Sequence, residues 1–164
     1  MSSKKNEIPE GFTLGMALMD AMPVLLFSIS VIMIAAKFHS VIFLVGAVCS
    51  ALAGCGKVSW KLLLALKKKN IFWLNAQFRY LMTTGMVMIL LSVVLSRSKI
   101  HLAVLRQQIL HAPSIWCFGA AVFGMAALIY MGIKLDRTDA KGNWIEQSVN
   151  LFVQLMILIG IIVL

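Results

Sequence analysis

The sequence predicts an all-α, polytopic integral membrane protein: a bundle of five transmembrane helices plus a short amphipathic surface helix. Hydrophobic residues make up 61% of the 164 residues, charged residues only 13%, and the mean hydropathy is +0.94. A soluble domain is about half apolar and about a quarter charged. A soluble fold of this size would also leave roughly a third of its chain surface in water. The composition therefore excludes an ordinary soluble enzyme, a disordered chain and a disulfide scaffold.

Five apolar stretches, each of roughly 18 to 25 residues, have the length that a helix needs to cross a hydrocarbon core of about 30 Å. They cover residues 21–38, 41–60, 71–95, 115–135 and 144–164. None alternates between apolar and polar residues over about ten positions, as the strands of a membrane barrel do. We expect a single membrane domain over residues 1–164.

The connection over residues 96–114 is the one long connection between the stretches. Leu102, Leu105 and Ile109 recur at helical spacing among polar residues, and Pro113 would stop a helix. We expect a short amphipathic helix that lies on the outer membrane surface. A connector that covers the bundle is the alternative.

The basic residues predict the orientation of the chain. Alternation over five crossings puts ten Lys and Arg residues on the side of the N-terminus and four on the other side. Because cytoplasmic loops are enriched in Lys and Arg, we expect a cytoplasmic N-terminus and an outer C-terminus in a cell (inner) membrane. The net charge of +9 then reflects orientation, so we expect no nucleic-acid partner.

Two rows of small residues mark the second apolar stretch, at a spacing that lets another helix approach closely. The rows are Gly46, Ser50, Gly54 and, beside them, Ala47, Ala51, Cys55. The fourth stretch has a weaker version of this pattern at Ala120 and Gly124. We expect these two helices to pack against each other, with a homodimer face as the alternative.

The fifth apolar stretch carries a polar stripe. Asn143, Glu146, Asn150 and Gln154 are three, four and four residues apart, so a helix places them on one face. At about 1.5 Å per residue from Trp144, Gln154 lies about 15 Å into the stretch, near the middle of a bilayer. Polar side chains at that depth are costly against lipid. The stripe is expected to face the bundle, either as the lining of a solute or ion path or as hydrogen-bonded contacts between helices.

Further polar residues lie at the same cytoplasmic depth. Asp20 precedes the first stretch, and Asn75 and Arg79 open the third. Lys57 and Lys61 close the second stretch. With the acid of the stripe, these groups predict an inward-facing polar vestibule, and Arg79 is expected to face the bundle because Asn75 shares its face. Lysines that snorkel to the interface are the alternative explanation.

Six residues form the predicted ligand-binding set: Asp20, Asn75, Arg79, Glu146, Asn150 and Gln154. Arg79 would pair with an acid or with an anionic group of the ligand, and Glu146 would act as a counter-ion or proton carrier. The two amides would hydrogen-bond the solute. We assign no catalytic residue, metal ligand or cofactor. The three histidines, His39, His101 and His111, are interpreted as incidental loop residues.

The expected function is to bind or transport a small solute through a polar cavity that opens to the cytoplasm. The HExxH, GxSxG and Walker motifs of metalloproteases, hydrolases and nucleotide-binding enzymes do not occur. Two alternatives stay open: a membrane-embedded enzyme that acts on a lipid or polyprenyl substrate, and a non-catalytic subunit of a larger membrane complex. The expected partners are the lipid bilayer, the solute and either a second copy of the chain or a partner membrane subunit.

Overall fold

Six helices form the part of the chain described by the computed structural model, residues 13–67, 70–96, 102–134 and 140–164. They are α1 (Leu14–Phe38), α2 (Val41–Lys67), α3 (Phe72–Leu95), α4 (Leu102–Leu110), α5 (Ser114–Lys134) and α6 (Ala140–Ile162). All except α4 are long and apolar enough to cross a membrane. The predicted all-α class and its five apolar helices are confirmed, and a short helix lies in the 96–114 connection.

Three helices extend beyond the apolar stretches that predict them. α1 begins seven residues before its apolar stretch, α2 ends seven residues after its stretch, and α6 begins four residues before its stretch. Thr13 caps α1, because its hydroxyl oxygen accepts a hydrogen bond from the Met16 amide at 3.3 Å. Backbone hydrogen bonds continue a helix through polar residues. Hydropathy therefore marks the apolar part of a helix and not its ends.

A two-residue turn joins α1 to α2. His39 ends α1 in the left-handed backbone region, with φ at 46°, which residues other than glycine seldom adopt. The Ser40 hydroxyl accepts a hydrogen bond from the Phe43 amide at 3.4 Å and lies 2.7 Å from the hydroxyl of Ser92 on α3. The turn makes α1 and α2 an antiparallel hairpin, and the hydroxyl pair ties the end of α3 to that turn.

The five long helices form an open series in the spatial order α3, α2, α1, α6, α5. α2 packs against α1 and α3, α1 also packs against α6, and α6 packs against α5. Among the described residues, any contact between α3 and α6 is weaker than these four. α4 packs against α5, with Leu105 and Ile109 half-buried.

One end of the bundle is rich in lysine. α1, α3 and α6 begin there and α2 and α5 end there, so that Lys67, Lys134 and Lys141 lie at this end. The Asn143 amide donates a hydrogen bond to the Met16 sulfur at 3.0 Å, which places the beginnings of α1 and α6 side by side. We call this the basic end of the bundle.

The small residues of α2 pack against α3 and α1, so the expected packing of α2 against α5 is wrong. A Cβ atom on Gly46 would lie 2.7 Å from the carbonyl oxygen of Gly85 on α3. One on Gly54 would lie 2.7 Å from a methyl group of Val24 on α1. Short connections make consecutive helices neighbours, which decides the partners of α2. The small residues of α5 serve another contact, since Gly124 lies against Val153 of α6.

An apolar cluster fills the half of the α1–α2 hairpin that lies away from the basic end. Its buried members are Val31, Ala35, Phe43 and Ala47, against which Phe27, Ile34 and Ile89 pack. Small and branched side chains let the two helices of the hairpin approach closely here. The buried charges of the hairpin lie in its other half.

Candidate binding cavity

A buried ion pair joins α1 to α2 near the basic end. The Lys61 ammonium contacts the Asp20 carboxylate, and each of the two residues is only 6% exposed. Asp20 lies six residues from the beginning of α1, and Lys61 lies six residues from the end of α2. Both are therefore about 9 Å inside their helix ends. Because the hairpin is antiparallel, these two positions are level with each other and the side chains meet.

Glu146 adds a third charge at the same level. It lies six residues from the beginning of α6, and its carboxylate attracts the Lys61 ammonium electrostatically. Lys61 thus interacts with two acids: it contacts Asp20 directly, and Glu146 attracts it electrostatically from α6. We call Asp20, Lys61 and Glu146 the charged cluster, to which three helices contribute one charge each.

A cavity of about 310 Å³ opens beside the charged cluster. This volume lies at the lower end of the range found for small-molecule sites, about 300 to 1,000 Å³. α1 and α2 form its floor. The floor residues are Asp20, Pro23, Val24 and Phe27 of α1 and Ser50, Gly54, Lys57, Val58 and Lys61 of α2.

α3 and α6, which lie on opposite sides of the floor, form the walls of the cavity. The α3 wall consists of Phe78, Met82 and Met86, which are four residues apart and share one face of the helix. The α6 wall consists of Gln147, Asn150 and Gln154, which are also about one turn apart. The cavity is therefore lined by apolar side chains on one wall and by amides on the other.

Lys57 lies at the junction between the floor and the α3 wall. Its ammonium nitrogen lies 4.6 Å from the centre of the Phe78 ring, a distance typical of a cation–π contact. Such a contact is worth about 0.5 to 2 kcal/mol, depending on how far the cation is removed from water. It holds the ring of the α3 wall against α2.

Two oxygens at the deep end of the cavity have no hydrogen-bond partner among the described residues. They are Oε1 of Gln154 and Oγ of Ser50, both on residues that line the cavity and both buried. Gln154 lies 14 residues from the beginning of α6, about 21 Å from the basic end. An unpaired buried polar atom costs about 1 to 3 kcal/mol. The deep end of the cavity therefore contains two buried oxygens that a bound ligand would stabilise by hydrogen bonding.

The structure brings four of the six predicted binding residues to this region. Asp20, Asn150 and Gln154 line the cavity, and Glu146 lies beside it through its attraction to Lys61. The residues of the polar stripe on α6 have different roles at different depths. Asn143, nearest the basic end, forms a contact between helices, as the alternative interpretation expected for the stripe, while the deeper amides line the cavity.

The structure does not bring Asn75 and Arg79 into the cavity. Asn75 is half-buried and Arg79 is exposed, and neither lines it, so the expectation that Arg79 faces the bundle is not met. Phe78 occupies the position of α3 that faces the cavity. Arg79, one residue later, is turned by about 100° around the helix axis, because an α-helix has 3.6 residues per turn.

Sequence reasoning missed Gln147 and Ser50 as lining residues. Gln147 lies three residues before Asn150 and seven before Gln154, a spacing that puts all three on one face. That spacing was the available signal. Ser50 was interpreted as a packing residue, and it does meet α3, because a Cβ atom on Gly85 would clash with its hydroxyl. The same residue lines the cavity from α2.

The histidines give no metal centre in the part of the chain that the structure describes. No group of three His, Cys, Asp or Glu residues is placed there to hold a metal ion. His39 and His111 are exposed, and His101 lies outside the described residues.

Comparison with protein-family models, with curated proteins and with solved structures finds no significant match to this chain.

Proposed function

We propose that the chain is a multi-pass membrane protein that binds a small solute in the cavity between α1, α2, α3 and α6. The five apolar helices support membrane insertion. So do the large apolar side chains on the outer surface: Phe123, Ile133 and Trp116 are 80%, 77% and 76% exposed. Contiguous apolar surface of this kind is unfavourable in water and is satisfied by lipid chains.

The proposed orientation puts the basic end in the cytoplasm. The ends of α2 and α5 and the beginning of α6 carry Lys67, Lys134 and Lys141 at this end, which is the distribution that the positive-inside rule associates with the cytoplasmic side. The charged cluster then lies close to the cytoplasmic boundary of the bilayer. The amides of the α6 wall reach from there toward the middle.

Reporter fusions test this orientation. A reporter joined after Leu164 is expected to behave as periplasmic or extracellular, and one joined at Lys67 is expected to behave as cytoplasmic. The measurement is paired alkaline phosphatase and fluorescent-protein activity in intact cells. A cytoplasmic signal from both fusions would mean that one of the five apolar helices does not cross the membrane.

The unpaired oxygens at the deep end of the cavity are the observation that carries the binding proposal. Gln154 Oε1 and Ser50 Oγ lie in the apolar part of their helices, where water does not ordinarily reach. A chain that used this region only for packing would do better with leucine or alanine at these positions. A solute that hydrogen-bonds there removes the cost of the unpaired atoms.

Thiol labelling tests whether the α6 wall faces a polar cavity. Single cysteines at positions 150 and 154, in a background without Cys49, Cys55 and Cys117, are expected to react with a small water-soluble thiol reagent added from the cytoplasmic side. The reason is that water entering at the charged cluster reaches both positions and lets the thiolate form. The measurement is the rate of labelling in inside-out vesicles.

Phe152 provides the matched control, because it lies between the two test positions and is 48% exposed on the outer surface. A cysteine at position 152 would face lipid and is expected to stay unlabelled. Labelling at neither 150 nor 154 would mean a dry contact between helices, and the binding proposal would then fail.

A further inference from the structure

The walls of the cavity belong to apolar, membrane-length helices, and this setting bears on the kind of ligand that enters it. Its walls, α3 and α6, lie on opposite sides of the α1–α2 floor, and any contact between them is weaker than the contacts that α3 makes with α2 and α6 makes with α1. In an inserted protein both walls border lipid chains, and we infer that a ligand reaches the space between them from the membrane as well as from the cytoplasm. A ligand that enters this way has to be soluble in lipid.

The two walls are complementary to different surfaces of one bound molecule. Phe78, Met82 and Met86 offer the ligand only hydrocarbon, an aromatic ring and thioether sulfur, and methionine adapts its shape to what packs against it. The opposite wall offers three amides, each with donor and acceptor atoms. The matching ligand is apolar on one side and forms hydrogen bonds on the other.

The charges and hydrogen-bonding groups of the lining residues further restrict the class of ligand. Neither wall carries a charged lining residue. The charges that line the cavity, Asp20, Lys57 and Lys61, belong to the floor, where Asp20 contacts Lys61 and the Lys57 ammonium lies over the Phe78 ring. The ligand is therefore neutral where it meets the walls. Gln154 Oε1 lacks a donor, and a hydroxyl group supplies a donor and an acceptor together, as the amides of the wall do.

We propose that the cavity binds a lipid-soluble alcohol or phenol, with its hydroxyl group against the α6 amides and its hydrocarbon against the α3 wall. The proposal rests on the proposed function and specifies the ligand of the same cavity. Gln154, whose Oε1 has no hydrogen-bond partner among the described residues, is the residue that decides the preference for a hydroxyl group.

The probe pair is durenol and durene, since durenol is durene with one ring hydrogen replaced by a hydroxyl group. The full-length protein in lipid nanodiscs is titrated with each compound, and the rise in melting temperature gives the affinity. Durenol is expected to bind about tenfold more tightly than durene, the factor that corresponds to one buried hydrogen bond. Gln154→Leu is expected to remove this preference, whereas Phe152→Leu, on the lipid-facing side of α6, is expected to keep it.

The wild-type comparison decides the outcome even if the Gln154 variant does not fold. Equal stabilisation by durene and durenol, or stabilisation by neither, would overturn the proposed ligand class. A preference that survives Gln154→Leu would overturn the placement of the hydroxyl group. Thiol labelling at positions 150 and 154 separates the two proposals, because a labelled cavity without a preference for durenol leaves solute binding intact and removes only the alcohol.

Discussion

Replacing Lys61 with methionine is expected to destabilise the folded protein by about 3 to 5 kcal/mol, because the buried Asp20 carboxylate would lose its cation. Asp20→Asn is expected to cost less, since Glu146 still attracts Lys61 from α6. The order of the two variants thus reports that the ammonium serves two acids. The measurement is the free energy of unfolding in detergent micelles by chemical denaturation.

Lys67→Met is the matched control, because Lys67 is exposed at the end of the same helix and its replacement should change stability by no more than about 0.5 kcal/mol. In a double-mutant cycle, Lys61→Met is expected to cost less when Asp20 is already asparagine. If Lys61→Met and Lys67→Met unfold at the same denaturant concentration, the ion pair does not stabilise the protein.

Gly85→Leu is expected to destabilise the protein by about 3 kcal/mol or more, because the new side chain has no room between α2 and α3. A Cβ atom at this position would already clash with the hydroxyl of Ser50 and would lie 2.7 Å from the backbone oxygen of Gly46. Backbone atoms cannot turn away as a flexible side chain can, so the two helices would have to separate. Thermal unfolding in detergent, followed by circular dichroism, measures the effect.

Gly119→Leu makes the same chemical change within α5, where a Cβ atom would meet no atom within 4 Å. The gain in helix propensity is the same for both variants, so it cancels in the comparison. We expect Gly119→Leu to leave the melting temperature unchanged or slightly raised. Equal losses for both variants would falsify the close contact between α2 and α3.

Hydropathy was sufficient to locate all five long helices, because the length and composition of each apolar stretch are local properties of the chain. It did not give their neighbours. The small residues of α2 are compatible with any helix that approaches closely, and a pairing with α5 was as consistent with the sequence as the observed contact with Gly85 of α3. Which helix lies there depends on the short connections and on the packing of the whole bundle.

The sequence likewise predicted one part of the candidate site and missed another. Sequence reasoning placed Asp20, Lys61 and Glu146 at one end of the bundle because all three lie near the ends of apolar stretches on the side that carries most of the Lys and Arg residues. It failed for Arg79, because successive residues of a helix are only about 100° apart around the helix axis. Two polar residues on one face therefore do not fix how α3 is rotated within the bundle. The α3 wall could not be predicted for another reason. Met82 and Met86 are ordinary residues for a membrane helix, and only the amides on the opposite wall mark them as part of a cavity.

The open series of helices has a consequence for biogenesis. α1, α2 and α3 are contiguous in sequence, and α2 packs against both of the others, while α5 and α6 form a second unit that joins the first through the contact between α1 and α6. Domains and helices emerge from the N-terminus first during synthesis, so the first unit can assemble before the second exists. Asp20 and Lys61 both belong to that first unit, so their ion pair does not depend on the later helices. The wall of amides arrives last, so synthesis completes the stable scaffold before it completes the cavity.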